Sequence, residues 1–220
     1  NTTAGFSISS YTGTGSAGTI GHGLGSTPKM IIVKKRSGAA NWYTYHQSLG
    51  NNKRLSLNET DASATDNNAW NQTTPTSSVF SVGASGTTNA SGATTIAYCF
   101  AEKKGYSKIG SYIGNGNANG AFVYTGFKPA WVMIKYINAG EGWIIHDNRR
   151  NGFNPDNDFL YANTNGAEVS STHLDILSNG FKTRSTNGVV NGNGNTYIYL
   201  AFAEEPLVAN VGASVPATAR

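Results

Sequence analysis

Charge is scarce in this chain. Sixteen Lys and Arg with twelve Asp and Glu make up 13% of its 220 residues, about half the share usual in soluble domains. The balance of +4 is spread thinly, its densest basic runs being Lys34-Lys35-Arg36 and Arg149-Arg150. A nucleic-acid-binding face concentrates Lys and Arg on one stripe, so nucleic acid is not an expected partner. A weak, salt-sensitive attraction to anionic cell-surface polymers fits this balance better. Cysteine is nearly absent: Cys99 stands alone, which excludes a disulfide within the chain and with it a small secreted disulfide scaffold. Set in the apolar run Ile96-Ala97-Tyr98-Cys99-Phe100, it reads as a buried, inert side chain. No apolar run nears the roughly 20 residues of a membrane helix, and no charged segment followed by an apolar stretch marks a signal peptide. Membrane insertion is not expected.

Signatures of chemistry are equally thin. His22, His46, His146 and His173 are scattered without the spacing of a zinc site. Asp156-Asn157-Asp158 resembles the start of a calcium loop but lacks the turn glycine and the closing Glu, and reads as a solvated loop. There is no Gly-x-Ser-x-Gly nucleophile elbow. Glu59, Asp61 and Asp66 share one region, as a glycosidase pair would, but the first two have no acidic counterpart in the repeat described next. The expectation is therefore no enzyme, no metal and no cofactor, with a polysaccharide depolymerase as the weakest of the functional alternatives.

Glycine, by contrast, is abundant at 27 residues, and hydrophobics reach 38% in short clusters, which excludes a disordered chain. Asn, Ser, Thr and Gly fill much of the remainder, as in a β protein with many tight turns. The chain also repeats itself. Ser10-Tyr11-Thr12-Gly13 returns as Ser111-Tyr112-Ile113-Gly114, and at the same shift Gly15, Gly25, Pro28, Lys34 and Trp42 meet Gly116, Gly126, Pro129, Lys135 and Trp143. The register then slips by about four residues around Gly152-Phe153-Asn154-Pro155, aligning Leu55, Asn58 and Ala62 with Leu160, Asn163 and Ala167. It recovers so that Asn89, Gly92 and Ile96 match Asn191, Gly194 and Ile198, and the copies end on Phe100-Ala101-Glu102 and Phe202-Ala203-Glu204. Such a period fixes architecture before any other reading.

Short apolar runs bounded by Pro and Gly predict strands. They include Met30-Ile31-Ile32-Val33 with Trp131-Val132-Met133-Ile134, and Trp42-Tyr43-Thr44-Tyr45-His46 with Trp143-Ile144-Ile145-His146-Asp147. Val79-Phe80-Ser81-Val82 with Gly180-Phe181-Lys182-Thr183, and residues 95–100 with 196–202, complete the set. Pro28 and Pro129 are expected just ahead of their strands. In the last strand Tyr197, Tyr199 and Ala201 alternate with Ile198, Leu200 and Phe202, predicting one inward face and a second that faces out or meets a neighbour. His173-Leu174-Asp175-Ile176-Leu177 reads as at most a single helical turn. The predicted fold is all-β: two tandem β-sandwich, jelly-roll-like modules, residues 1–103 and 104–206, with an extended tail over 207–220.

The repeated residues are scaffold types. Trp42 and Trp143 are expected to anchor sheet packing, Lys34 and Lys135 to meet a carboxylate or carbonyl or to reach water, and Asp147 to pair with Arg150. Glu102 and Glu204 are expected to satisfy backbone donors or the repeated Lys. The best candidate for ligand binding is Trp70, flanked by amides in Asn67-Asn68-Ala69-Trp70-Asn71-Gln72. An aromatic ring takes the apolar face of a sugar while amides take its hydroxyls, so Trp70, Asn68 and Asn71 form the expected site, with Tyr45 and His46 as weaker members. A lid over the sheet edge is the competing role for Trp70.

The strings Gly21-His22-Gly23-Leu24-Gly25-Ser26-Thr27-Pro28, Met30 to Lys34, Trp42 to Gly50, Thr125-Gly126-Phe127-Lys128-Pro129-Ala130-Trp131-Val132-Met133-Ile134-Lys135 and Tyr197 to Glu204 resemble a repeated domain of unknown function found in marine bacteriophage fibre and tail-associated proteins. The resemblance runs from about Gly5 to Pro206. It implies a virion surface component, a fibre or host-recognition tip, whose partners are a host-surface polysaccharide or receptor, other virion proteins and further copies of itself. An architectural role, as a capsid decoration or fibre shaft, is the alternative, and it predicts Tyr197 and Tyr199 buried between chains. The resemblance brings no catalytic residue.

Overall fold

The computed structural model describes residues 1–150, 154 and 156–205; the tail expected over 207–220, and the inserted stretch apart from Asn154, lie outside the described residues. The chain is nearly all β and divides into two compact units, Asn1–Glu102 and Lys103–Arg220. The first holds β1 (Phe6–Thr12), β2 (Gly18–Gly21), β3 (Met30–Lys35), β4 (Tyr43–His46), β5 (Lys53–Ser56), β6 (Ala64–Thr65), β7 (Val79–Val82) and β8 (Thr94–Phe100). The second holds β9 (Ser107–Ile113), β10 (Phe122–Tyr124), β11 (Pro129–Tyr136), β12 (Trp143–Asp147), β13 (Asp156–Tyr161), β14 (Val169–Leu177), β15 (Gly180–Thr183), a four-residue helix α1 (Gly188–Asn191) and β16 (Thr196–Ala203).

Every strand pairing is antiparallel. The first unit has a six-stranded sheet in the order β1-β8-β3-β4-β5-β6 and a separate β2-β7 pair; the second has one sheet in the order β9-β16-β11-β12-β13-β14-β15-β10. Strand for strand the connectivity is the same, with one addition: β14 pairs β15, joining what in the first unit stays two sheets. Each unit is β-sandwich-like. In the first, Phe80, Val82 and Ile20 from the small pair close over Ile31, Val33, Ala97 and Cys99 of the large sheet. In the second, Val123 and Phe181 meet Tyr112, Val132, Tyr197 and Tyr199, with Phe181 edge-on to Tyr112 at 5.9 Å and to Tyr199 at 5.4 Å.

Several expectations change. Residues 173–177 are strand, because Leu174 and Ile176 point into the core with period two and the turn Ser178-Asn179 folds the segment back on β15. Asp156-Asn157-Asp158 opens β13 instead of forming a solvated loop. Pro129 is the first residue of its strand, paired with Ala203, and the register shifts between Pro129 and Trp131; a first-position proline costs the ladder no donor it needs. In β16 both faces are covered, since Ile198 and Leu200 are buried along with Tyr197, Tyr199 and Ala201. Cys99 is buried as expected, and its thiol is pushed up to about 12 by desolvation.

A buried asparagine fastens each unit at the same end. Asn89 accepts from the Thr14 backbone at 2.9 Å and donates to the carbonyls of Ser16 at 2.7 Å and Gly83 at 2.9 Å. Asn191 accepts from the Asn115 backbone at 3.0 Å and donates to the carbonyls of Asn117 and Ser185, each at 2.8 Å. Beside them the backbones touch. A Cβ added at Gly13 would lie 2.2 Å from the Ala90 oxygen, and one at Gly114 would lie 2.4 Å from the Gly192 oxygen. Only glycine fits there, which explains why both copies carry it. Replacing Asn89 or Asn191 by Ala leaves several buried backbone groups unpaired, so each is expected to lower unfolding free energy by roughly 3 kcal/mol or more. Urea titration of the single variants measures this; a loss below about 1 kcal/mol would mean the amide is replaceable by water.

Candidate functional site

Trp70 is not a surface platform. It is 1% exposed, its indole nitrogen donates to the Lys53 carbonyl at 3.0 Å, and its ring meets Tyr45 edge-on at 5.7 Å. The cause is local. Asp66 accepts from the backbones of Asn68 and Ala69, both at 3.0 Å, a turn that swings the next side chain inward. Gly83 and Thr88 then hold the segment, donating to the carbonyls of Asn68 at 2.9 Å and Ala69 at 3.0 Å. Tyr45 and His46 are buried too. The His46 ring accepts from Ser48 N at 3.1 Å and caps a short 3-10 turn. Asn68 and Asn71 remain exposed, Asn71 at φ 51, but the ring they were expected to flank faces away from them into the core. The expected site is therefore not assembled.

The second unit fills its corresponding space differently. Val132 pairs His146 as Ile31 pairs Tyr45. His146, Phe159 and His173 form a triangle of rings, with centroids 5.6 Å apart for His146–Phe159, 4.6 Å for Phe159–His173 and 5.5 Å for His146–His173. A register irregularity between β13 and β14, near Ser170 to Leu174, turns His173 inward. Among the described residues neither ring nitrogen of His173 has a hydrogen-bond partner.

Of the acidic candidates Asp61 is exposed, while Glu59 and Asp66 are occupied structurally. Asp66 makes the turn described above and lies 3.8 Å from Arg54, and Glu59 accepts from Asn58. Asp147 meets Arg150 at 2.7 Å as expected, and Arg150 also binds Glu168. Glu102 and Glu204 pair with Lys29 at 2.9 Å and Lys128 at 2.6 Å, not with Lys34 and Lys135. Those two donate to the carbonyls of Ala40 and Glu141, each at 2.5 Å. The hydrogen bond from Lys128 holds the Glu204 carboxyl below the usual range. Among the described residues no group of three or more His, Cys, Asp or Glu is placed to hold a metal, and no helix is long and apolar enough to cross a membrane. Tyr197 and Tyr199 are buried within the core of their own unit.

The exposed aromatics lie elsewhere. Phe122 and Tyr124 alternate with buried Val123 on β10 and are 48% and 63% exposed. Cross-strand partners share a face, so Phe122, Lys182 and Asp175 form one row and Tyr124, Gly180 and Leu177 the next. The Phe122 ring leans across Gly180: its Cε2 lies 3.1 Å from where a Cβ would stand. Asp175 is clamped by Arg184 at 2.5 Å, and the pair lines a shallow pocket of about 510 Å³ with Thr172, Asn154 and Ala118. The Asn154 amide is fixed by two bonds to the Ile176 backbone, at 2.8 and 2.7 Å. In the first unit the corresponding row is Thr19 opposite Ser81, followed by Gly21 opposite Val79. The fold thus forms without the aromatics. The sequence carried the signal, Phe122-Val123-Tyr124 against Thr19-Ile20-Gly21, but only after the short strands are registered on Phe80 and Phe181.

These features define an all-β, β-sandwich-like protein with one aromatic and polar outer face. Residues 1–206 match the family described as Domain of unknown function (DUF7483), and the chain belongs to it. The match spans both compact units. No curated protein and no solved structure matches the chain.

Two measurements follow from the two cores. Trp70→Ala is expected to cost about 3–5 kcal/mol in chemical unfolding, as for a buried ring; a change under about 0.5 kcal/mol would put Trp70 back at the surface. Desolvation, with a smaller contribution from His146, lowers His173 to about 4 from 6.5. The unfolded chain therefore binds the proton first, and stability present above pH 6.5 falls away until about pH 4, by about 3 kcal/mol at 1.36 kcal/mol per unit. Unfolding titrations across that window should show the slope in the native chain and a flatter one in His173→Phe.

Proposed function

We propose that the chain is a bacteriophage virion surface protein, built from two tandem copies of one β-sandwich module, that attaches to glycan on the host surface. Common connectivity and matched details support the duplication. Tyr11 and Tyr112 each donate to a backbone carbonyl, of Thr88 at 2.5 Å and Val190 at 2.7 Å, and Trp42 N and Trp143 N each donate to an Asn side chain at 2.8 Å. The motif resemblance supports the particle, and sparse charge with turn-rich sequence suits a surface module. The observation that carries the binding role is the exposed Phe122–Tyr124 pair, present in one copy and dispensable for the fold of the other. Binding sites for sugars combine such rings with fixed polar groups, which Asp175, Arg184 and Asn154 supply. On this reading the partners are host polysaccharide, other virion proteins and further copies of the chain.

The architectural alternative draws on the outer strands β1 and β9, which carry the exposed isoleucines Ile8 and Ile113, as packing faces of a shaft or capsid decoration would. One experiment separates the two. The purified chain is expected to be retained on a glycan array and to reduce adsorption of particles that carry it. No retention and no competition, with ordered assembly in sedimentation lost on Ile8→Glu or Ile113→Glu, would favour the architectural role.

A further inference from the structure

We infer that the outer face of β10, β15 and β14 binds an acidic polysaccharide, with Phe122 and Tyr124 stacking on sugar rings and Lys182 meeting a carboxylate or sulfate carried by the chain. This rests on the adhesion reading above and narrows its ligand.

The rings set the direction. Phe122 and Tyr124 stand two residues apart on one face of an extended strand, roughly 7 Å along its axis. Glycines leave the backbone bare beside both: Gly180 lies beneath the edge of Phe122, and Gly126, at φ +83, would place a Cβ 3.5 Å from the Tyr124 hydroxyl. A linear polymer laid along the strand meets two apolar surfaces with no side chain rising between them.

Charge decides the class. Lys182 is directly opposite Phe122 on one side and Asp175 on the other. Asp175 is the nearest carboxylate across the strand, but Arg184 already holds it at 2.5 Å and it is largely buried. Among the described residues Lys182 therefore forms no ion pair, while the aromatic beside it is exposed. An ammonium with no internal counter-ion next to a sugar-stacking ring complements an anionic sugar. A neutral chain would gain nothing from that charge. The Asp175–Arg184 pair and the fixed Asn154 amide then present donors and acceptors to hydroxyls one strand further on. The first unit has Ser81 in place of Lys182, and Thr19 and Gly21 in place of the rings, so the assignment belongs to the second unit alone.

The test is retention of the full chain on a polyuronate, a sulfated galactan and a neutral glucan, at low and high salt, with native folding of each variant checked by thermal unfolding. The native chain is expected to prefer one or both acidic polymers and to release with salt. Lys182→Gln should weaken that binding on the order of tenfold, Lys182→Arg should keep it, and Phe122→Ser with Tyr124→Ser should remove it. The polyuronate and sulfated arms identify which acid is read. Equal, salt-insensitive retention on the neutral glucan would overturn the acidic assignment and leave adhesion standing. Acidic binding that survives loss of both rings would overturn the face. Retention of nothing, or an oligomer that dissociates only in the ring variant, would overturn the proposal; the first result would also remove the glycan-adhesion reading, and the second would give the face to a second copy.

Discussion

One buried carboxamide in each unit ties the loop after the first strand to the backbone that follows the seventh. The layers of a sandwich are secured by apolar contact, which is strong but does not specify register. Asn89 and Asn191 supply the missing specificity. Each gathers the loop after the first strand and the backbone that follows the seventh into one set of bonds, and each is backed by Gly13 or Gly114 at a distance no larger residue permits. Placed in a low-dielectric interior, such a satisfied polar hub is worth more than its bonds would be in water, and is correspondingly unforgiving of partial loss. It fastens the loop ahead of β2 or β10 to the backbone just past β7 or β15, beside the strand pair that those elements form.

Around this shared fastening the cores diverge. The first unit closes on Trp70, whose indole nitrogen donates to the Lys53 carbonyl, and on Tyr45, edge-on to it. The second closes on His146, Phe159 and His173, where His173 has no hydrogen-bond partner among the described residues. Both spaces are filled by packed rings while the chemistry differs, a change that close-packed interiors tolerate when total volume is kept. The outer surface follows the same logic. Where one copy has Thr19 and Gly21, the other has Phe122 and Tyr124, and the exposed side of an edge strand is where such a change disturbs the core least.

Strands with continuous apolar runs were readable directly: Met30 to Val33 and Trp131 to Ile134 lie within β3 and β11, and Val79 to Val82 is β7 to the residue. Strands with polar alternation, such as β1 in Phe6–Thr12, were not, because Ser and Thr signal turns as readily as edges. The ion pairs were half legible. Lys29 follows its proline and Lys128 precedes its own, so a fixed alignment separates them, yet each reaches the glutamate just past the last strand of its unit. Trp70 misled for a physical reason: the amides around it suggest solvent, but Asp66 uses the backbone of those same residues to build the turn that buries the ring. Polarity of neighbours reports where their side chains go, not where the next one points.

The first and last strands of each unit lie side by side and antiparallel, Phe6 against Phe100 and Ser107 against Phe202. Both ends of a unit therefore leave at the same end of one strand pair. Tension applied between those ends loads that ladder like a zipper, one hydrogen-bonded pair at a time, and not in shear across all of them at once. Each unit is thus mechanically soft along its own chain, and its ends are positioned so that it can be spliced into a longer polypeptide without reaching across its core.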